Sequence, residues 1–269
     1  MKFEDFNLPA PIMQAIKEIG YDTPTQIQEK SIPLIMQGKD VIGQSGTGSG
    51  KTATFGLPIL GKIQRGKGLQ ALILTPTREL CVQVAASLQQ FSKYLGLRVC
   101  SIYGGVGMNP QINGIRVCEI VVACPGRLLD IMSQGHGDFR NVHFMILDEA
   151  DRMLDMGFIR DVEKIIRVVP KDRQTLLFSA TMEPELRSLV NKYMRNPEFV
   201  QAKIFVDTSL LKEAYYEVDL QDKFSLLAHL LKNETPGMAL VFCRTRTEVD
   251  ALVETFVVAG EQNNAGEVR

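Results

Sequence analysis

The 269-residue sequence lacks the cysteine and histidine spacings of a metal site. None of its cysteines forms a C-x-x-C pair, and its three histidines do not complete a zinc pattern. The five cysteines are Cys81, Cys100, Cys118, Cys124 and Cys243. We therefore expect neither a zinc module nor a disulfide scaffold, but reduced thiols in a cytoplasmic or nuclear protein.

Long apolar runs and an excess of one charge are also absent. No run of about 18 apolar residues occurs, and the N-terminal MKFEDFNLPA lacks the features of a secretory signal. We therefore expect a soluble protein of the cytoplasm without a membrane segment, with the nucleus an open alternative for a eukaryotic source. Because the net charge is −1, any contact with nucleic acid must come from a local basic patch.

What the sequence does contain is an alternation of short apolar runs and amphipathic stretches. Six runs predict strands that are covered on both faces, because they lack a strict polar alternation. They are DVIGQ, ALILT, RVCSIY, EIVVAC, FMILDEAD and TLLFSAT. Helical stripes lie between them, as at 79–95 and 159–169, and a helix before the first strand is predicted to end at Gly20. The pattern predicts βαβ units and a parallel sheet with helices on both faces.

A smaller unit is predicted to follow the boundary at Pro197. Residues 198–214 are interpreted as a linker, and a helix is expected in DKFSLLAHLLK. MALVFCRT, at 238–245, predicts another buried strand. Since roughly 65 residues are fewer than a domain usually has, residues 215–269 are interpreted as the beginning of a second domain.

The stretch GQSGTGSGKTATF predicts a polyphosphate site between a strand and a helix. It follows the pattern G-x-x-x-x-G-K-S/T, except that Ser45 replaces the first glycine. Glycines let backbone N–H groups converge on an anion, and the following helix adds its positive end. Lys51 is expected to reach the β- and γ-phosphates, and Thr52 to place its hydroxyl on Mg²⁺. The predicted loop contacts are Ser45, Gly46, Thr47, Gly48, Ser49, Gly50, Lys51 and Thr52.

An acidic segment, Asp148-Glu149-Ala150-Asp151, follows the apolar run FMIL. Ligands in open α/β sheets bind at the carboxyl ends of strands, which is where these carboxylates are expected. Asp148 is predicted to hold Mg²⁺, and Glu149 to polarise the attacking water. Together with Lys51, these two residues are the predicted catalytic groups.

These segments, with three others, resemble the DEAD-box ATP-dependent RNA helicases. The resemblance rests on GYDTPTQIQ, GSGKT, PTREL, LDEADRMLDMGF and SAT, which occur in the family's order. It implies an α/β fold of the RecA-like, P-loop NTPase type. It also implies an adenine-reading segment at 1–30, an ATP-binding helicase domain at 31–197, and part of a second RecA-like domain at 215–269.

The resemblance implies how the base and the RNA are bound. Tyr21 is expected to stack on adenine with Phe3 in support, and the amide of Gln28 to donate to and accept from the base, with Thr23 beside them. The RNA backbone is expected to contact Pro76, Thr77, Arg78, Gly104, Gly105, Pro125, Gly126 and Arg127. Cys124 stands where the family usually has threonine. Asp151, Ser179 and Thr181 are expected to couple the ATP and RNA sites.

The resemblance also implies a second domain that supplies arginines to the transferring phosphoryl group. The family's A-R-G-x-D and H-R-x-G-R segments do not occur in these 269 residues. We therefore expect a truncated second half and weak activity from a parent function of ATP-dependent RNA unwinding. Three alternatives stay open: an RNA-stimulated ATPase that remodels RNA–protein complexes, a non-catalytic nucleotide-binding fragment, and a DNA-directed motor. The expected ligands are ATP, Mg²⁺ and RNA with little sequence preference.

Overall fold

The chain divides into two compact units, Met1–Phe205 and Val206–Arg269. The computed structural model describes residues 1–46, 48–202, 212–233 and 239–264, the last eight of these as backbone only. Within these residues, no helix is long and apolar enough to cross a membrane.

The first unit opens with a short 3-10 helix, Phe3–Phe6, and then alternates helices and strands. The helices of the chain are α1 (Ala10–Ile19), α2 (Gln26–Met36), α3 (Lys51–Leu60), α4 (Arg78–Phe91), α5 (Met108–Ile115), α6 (Pro125–Ser133), α7 (Ala150–Asp155), α8 (Ile159–Val168), α9 (Pro184–Tyr193), α10 (Lys223–Asn233) and α11 (Arg246–Asn264). The strands are β1 (Val41–Gln44), β2 (Ala71–Leu74), β3 (Val99–Ile102), β4 (Ile120–Ala123), β5 (Phe144–Leu147), β6 (Gln174–Ser179) and β7 (Glu198–Gln201).

All seven strands pair in parallel, in the order β3-β4-β2-β5-β6-β1-β7. The six strands expected from apolar runs are present, and the parallel α/β prediction is confirmed. Strands β2, β4, β5 and β6 are buried along their whole length, which explains why their sequences do not alternate. The carboxyl ends of β1, β5 and β6 lie side by side, because these strands are neighbours in the sheet.

Helices cover both faces of the sheet and make two cores. Side chains of α1 to α4 pack on one face, and those of α5 to α9 pack on the other. The predicted stripe of α4 buries Val84, Leu88 and Phe91, as its spacing requires. Helix α1 ends at Gly20, whose φ of 80° is the left-handed conformation typical of a helix stop.

The first unit continues beyond the predicted boundary at Pro197. Residues Glu198–Gln201 form β7, which pairs with β1, although this stretch was interpreted as part of a linker. The compact unit extends to Phe205. The sequence did not indicate β7, because this edge strand has only four residues and, with Phe199 half exposed, contains no buried apolar run.

The second unit contains α10 and α11 but no strand among its described residues. The buried strand predicted for 238–245 is therefore wrong for 239–245; residue 238 lies outside the described residues. Phe242 is 93% exposed and Leu240 is 79% exposed. A strand forms only where a neighbour pairs with its N–H and C=O groups, and the described part of this unit offers none. That 215–269 is part of a second RecA-like domain stays a prediction.

Candidate nucleotide and RNA site

The predicted phosphate loop joins the end of β1 to the start of α3. The amide of Ser45 donates to Ser179 O at 3.1 Å, which ties the loop to the end of β6. The hydroxyls of Ser45 and Ser49 are 2.9 Å apart, and Ser49 also donates to Gly46 O at 2.9 Å. Thr47 lies outside the described residues. The hydroxyl side chains thus brace the loop from within.

Gly48 and Gly50 have φ values of 74° and 85°, the left-handed region that favours glycine. Gly50 caps the N-terminus of α3, so backbone N–H groups at the start of this helix are available to an anion. A Cβ on Gly50 would lie 2.5 Å from Nε2 of Gln28, whereas a Cβ on Gly48 would meet nothing within 4 Å. Glycine at 50 is therefore favoured by its backbone conformation, and a side chain there would also have to displace the amide of Gln28.

Gln28 is buried beneath this loop. Its Nε2 donates to Gly50 O at 3.1 Å, and its Oε1 accepts from the amide of Thr25 at 2.8 Å. Thr25 itself donates its hydroxyl to Ser49 O at 2.8 Å. A carboxamide carries two protons and two lone pairs, so Gln28 keeps one of each for a base while it holds the loop.

Tyr21 lies beside this arrangement with its ring 39% exposed. It stacks on the buried ring of Phe3, with centroids 6.1 Å apart and an interplanar angle of 25°. Phe91 of α4 contacts the Tyr21 ring as well, at 6.2 Å. Thr23 is exposed in the turn between Tyr21 and α2. The open face of Tyr21 could accept a base.

Lys51 begins α3 and is only 8% exposed. Its Nζ lies 3.4 Å from Ser45 O, so the ammonium group points back into the loop. Thr52, the next residue of the helix, is half-buried. The ammonium makes one long hydrogen bond and has the carboxyl of Asp148 nearby, so it keeps donors for an anion bound in the loop.

Asp148 directly follows β5 and is 2% exposed. Its burial raises the pKa of the carboxyl to about 6, although the nearby charge of Lys51 opposes this rise. Glu149 raises it further, and the amide of Glu149 donates to Asp148 Oδ1 at 3.0 Å. A buried carboxylate of this kind gains most from a cation.

These residues fit a magnesium ion bound together with nucleotide phosphates. Mg²⁺ takes hard oxygen ligands and commonly uses one or two protein groups, with water and phosphate oxygens for the rest. Asp148 supplies a buried carboxylate, and Thr52 supplies a hydroxyl at the start of α3. Among the described residues, no cluster of three or more histidine, cysteine or acidic groups forms a protein-only metal cage.

Glu149 adopts a strained backbone conformation, with φ 51° and ψ 54°. Its carboxylate is 15% exposed and pairs with Arg152 Nη1 at 3.4 Å. A non-glycine residue in the left-handed region costs about 1 to 2 kcal/mol, and such residues concentrate at functional sites. The turn places the side chains of Asp148 and Glu149 at the same end of the sheet.

Asp151 is the centre of a hydrogen-bond cluster at the end of β6. Its Oδ2 accepts from the amides of Ala180 and Thr181, both at 3.0 Å, and from the Thr181 hydroxyl at 3.3 Å. Its own amide donates to the Ser179 hydroxyl at 3.2 Å. Burial raises the pKa of Asp151, but these hydrogen bonds outweigh it, so the pKa is lowered overall.

The predicted RNA segments meet at a loop that follows β3. Arg78 lies over the ring of Tyr103, 5.1 Å from its centroid, and a Cβ on Gly105 would lie 3.4 Å from Arg78 Nη1. Arg127 donates from Nη1 to Val106 O at 2.9 Å. Residues 103–106 thus link two segments that are 49 positions apart in the chain.

The remaining RNA-segment residues occupy the starts of α4 and α6. Thr77 caps α4, its Oγ1 accepting from the amide of Leu80 at 3.3 Å. Pro76 and Pro125 are buried, Gly126 is half-buried, and Gly104 is exposed. Helix N-termini point their free N–H groups outward, a geometry suited to phosphate.

Sequence reasoning missed several residues of the site. Tyr103 was treated only as part of a strand, and Arg152, Thr25 and Phe91 were given no role in it. A signal existed for Thr25, because it precedes Gln28 by three positions, the spacing of a helix capping box. The contacts of Tyr103 and Phe91 join residues distant in sequence, so no local pattern indicates them.

Comparison with known families matches residues 25–189 to the DEAD/DEAH box helicase model. The chain is 43% identical over 253 residues to a probable ATP-dependent RNA helicase of Methanocaldococcus jannaschii, covering 94% of this chain and 68% of the relative. It is 43% identical over 262 residues to the ATP-dependent RNA helicase CshA of Listeria monocytogenes, covering 96% of this chain and 50% of the relative. The chain therefore spans about half to two thirds of these curated relatives.

Two solved structures are similar in fold. A DEAD box protein from the hyperthermophile Methanococcus jannaschii matches with a TM-score of 0.74 and 41% identity, over 97% of this chain and 71% of that one. A hypothetical ATP-dependent RNA helicase from Sulfolobus tokodaii matches with a TM-score of 0.68 and 38% identity, over 91% of this chain and 71% of that one.

Proposed function

Because the chain belongs to the DEAD/DEAH box helicase family, we propose that it binds ATP with Mg²⁺ and RNA backbone to unwind or remodel short RNA duplexes. One observation carries this proposal: the buried Lys51 and Asp148 lie at the sheet edge where Asp151 binds the segment 179–181. The predicted RNA segments at 76–78 and 125–127 follow β2 and β4, whose carboxyl ends lie at the same edge of the sheet as the proposed phosphate site. We expect the protein to work in the cytoplasm.

In the proposed mechanism, each buried group at the loop has a separate task. Lys51 and the first amides of α3 bind the phosphates and offset their charge. Asp148 and Thr52 would hold the magnesium ion, which supplies charge neutralisation at the phosphates. Glu149 would accept a proton from the attacking water, after release from Arg152. Binding of a base to Gln28 would change the position of the loop through the hydrogen bond from Gln28 to Gly50 O.

On the RNA side, we propose that Arg78, Arg127 and the N-termini of α4 and α6 bind phosphate oxygens. Such contacts position the strand but do not read its sequence, so discrimination among RNA sequences should be slight. The binding should be strongly salt-dependent. RNA over DNA would be selected through the 2′-hydroxyl.

The 269 residues by themselves should turn over ATP slowly, since they contain no A-R-G-x-D or H-R-x-G-R segment. Arginines that contact the transferring phosphoryl group are worth about 10³- to 10⁵-fold in rate. Stimulation of phosphate release by RNA without strand separation would favour the clamp alternative. Equal stimulation by DNA would favour the DNA-directed motor.

The proposal is tested by nucleotide titration of the native chain and Lys51→Ala. The variant should lose at least about tenfold in ATP affinity while keeping its circular dichroism spectrum, because Lys51 offsets phosphate charge. Lys67→Ala is the matched control, because this lysine is exposed in the loop before β2 and is not part of the phosphate loop. Equal ATP affinity in all three proteins would contradict the phosphate-site assignment.

A further inference from the structure

Two cysteines meet directly beneath the predicted RNA segments. Cys81 is in the first turns of α4, three residues after Arg78, and is fully buried. Cys124 is the residue that caps α6, immediately before Pro125, and is half-buried. The two cysteines are neighbours whose thiols perturb each other's pKa, and both lie against the same carbonyl oxygen, that of Ile102. They are therefore close enough to react with each other after small side-chain movements.

The backbone around the pair holds both sulfur atoms in place. Cys81 Sγ lies 3.2 Å from Val122 O and 3.8 Å from Ile102 O. The amide of Cys124 donates to the same Ile102 O at 2.8 Å. Both cysteines are thus anchored on the carboxyl ends of β3 and β4, so their proximity does not depend on a surface loop.

Thr75 completes the cluster. It directly follows β2, whose last residue pairs with the last residue of β4, so Thr75 lies beside Cys124. Its side chain is fully buried, and Oγ1 has no hydrogen-bond partner of normal geometry among the described residues. Burying an unpaired hydroxyl costs about 1 to 3 kcal/mol, and the neighbouring sulfur atoms are the acceptors available to it. A thiolate would accept this hydrogen bond more strongly than a thiol.

The surroundings favour ionisation of Cys124 over Cys81. The interaction with the Cys81 thiol lowers the pKa of Cys124 and is the largest cause. Burial raises this pKa, the Thr75 hydroxyl lowers it, and the charge of Glu79 raises it. The pKa of Cys81 is raised, by its interaction with Cys124 and by burial. Cys124 is the N-cap residue of α6, where its side chain makes no capping hydrogen bond, and helix N-termini in general stabilise thiolates. Cys124, half-buried where Cys81 is fully buried, is also the thiol that a reagent from solvent reaches first.

From this geometry we propose that Cys124 and Cys81 form a peroxide-reactive thiol pair, with Cys124 the attacking sulfur and Cys81 the resolving one. The Cys124 thiolate attacks one oxygen of hydrogen peroxide, which breaks the O–O bond, forms a sulfenic acid and releases hydroxide. Cys81 then loses its proton, and its sulfur attacks that of Cys124, which releases a second hydroxide. Protons from the two thiols convert both hydroxides to water, so two thiols are oxidised to one disulfide and one peroxide is reduced to two waters.

The disulfide would join α4 to the start of α6 beneath both predicted RNA arginines. This consequence rests on the proposed function, because it concerns Arg78 and Arg127. A covalent bond between the sulfurs would fix the distance between the N-termini of α4 and α6. The two sulfur atoms would also move from the positions they have in the reduced chain. We expect the oxidised chain to bind RNA at least about threefold more weakly, as expected when one or two phosphate contacts are misplaced.

The experiment maps cysteine oxidation in the native chain. The protein receives substoichiometric hydrogen peroxide, free thiols are blocked with N-ethylmaleimide, and a combined trypsin and Glu-C digest is analysed by mass spectrometry. Cleavage after Glu119 separates Cys118 from Cys124, so the expected product links residues 80–93 to residues 120–127. Cys124 should be oxidised at least about tenfold faster than Cys243, which lies in the second unit.

Cys81→Ser separates the two steps. In this variant Cys124 should accumulate as sulfenic acid that a dimedone probe traps, and no 80–93 to 120–127 product should form; Cys81→Ala replaces it if the serine variant loses its circular dichroism spectrum. Oxidation of Cys124 no faster than Cys243, or oxidised Cys124 without a link to Cys81 in the native chain, would overturn the proposal. The pair Cys100 and Cys118, whose thiols also perturb each other's pKa, is the internal comparison, because neither cysteine is at a helix N-terminus.

RNA binding is measured separately on reduced, oxidised and dithiothreitol-restored protein. If the reduced chain binds no RNA, the proposed function fails, and the thiol pair is judged by the peptide map alone. If the reduced chain binds RNA, weaker binding after oxidation and recovery with dithiothreitol support the link to the RNA surface. Unchanged binding in the disulfide form refutes that link.

Discussion

The nucleotide side and the RNA side of this site are built in opposite ways. Gln28, Lys51 and Asp148 are each less than a tenth exposed; the charge of Lys51 acts on Asp148, and Gln28 hydrogen-bonds Gly50 O of the loop. Arg78 is exposed and lies over the ring of Tyr103, and it forms no ion pair with a carboxylate of the described residues. Changes at these buried residues should therefore alter folding as well as binding, whereas a change at the exposed Arg78 should alter binding alone.

The largest effect on folding is expected from the titration of Asp148. Its pKa is raised to about 6 in the folded chain, so below about pH 4 the protonated group does not oppose folding. As the pH rises through about 6, up to about 3 kcal/mol of stability is lost, because ionisation is easier in the unfolded chain. When magnesium and nucleotide are absent from the solution, Asp148→Asn should remove this loss of stability. Urea unfolding of both proteins from pH 4 to 7.5 measures the difference, and parallel pH curves would contradict it.

Asp151→Asn should be the next most destabilising change. The carboxylate oxygen Oδ2 accepts from two amides and a hydroxyl, and Oδ1 accepts from the amide of Arg152, so an asparagine amide in either orientation would turn its NH2 against a backbone N–H. Hydrogen bonds to charged groups are worth about 1.5 to 3 kcal/mol, so we expect a loss of that order in unfolding free energy. Asp155→Asn, at the exposed end of α7, is the control. The idea fails if both variants unfold at the same urea concentration as the native chain.

Gly50→Ala tests how tightly the loop depends on Gln28. Both Gly50 and Gly48 have positive φ, so alanine at either costs about 1 kcal/mol in backbone strain. Only at Gly50 does the added Cβ meet Gln28, at 2.5 Å. We expect Gly50→Ala to lose more unfolding free energy and more ATP affinity than Gly48→Ala. Equal losses would mean that the amide of Gln28 moves aside freely.

The smallest effect on folding is expected for Arg78→Ala. Because this side chain is exposed and makes no ion pair with a described residue, unfolding free energy should change by about 0.5 kcal/mol or less. RNA binding should nevertheless weaken for all sequences alike, and the salt slope should fall by about one. Arg160→Ala, exposed at the start of α8, should change neither quantity. A stability loss near that of Asp151→Asn would break the contrast between the two sides.

Local patterns in the sequence were sufficient for the sheet and for the main segments of the site. Apolar runs predicted six parallel strands because most of their residues are buried, although the edge strand β3 is only half-buried along its first three residues. Glycines with a lysine predicted the loop because φ and charge are local properties. Position at strand ends then placed Asp148 beside the loop. The family resemblance added the base and RNA segments, and the comparisons support membership of that family.

Contacts between distant residues were decided only by the tertiary structure. Sequence placed Arg78 and Arg127 in separate segments, but residues 103–106 bring them to one loop. It counted Cys81 and Cys124 as buried thiols, yet the pairing of β2, β3 and β4 makes them neighbours.

The strand predicted wrongly at 239–245 also shows that a local pattern does not determine contacts between distant residues. Its apolar composition suits a buried strand, but apolar residues record only a tendency to leave water. Whether a strand forms depends on a second segment that pairs with its backbone, and the described residues of that unit contain none. Periodicity is a property of a segment, whereas pairing and side-chain contact are properties of the folded chain.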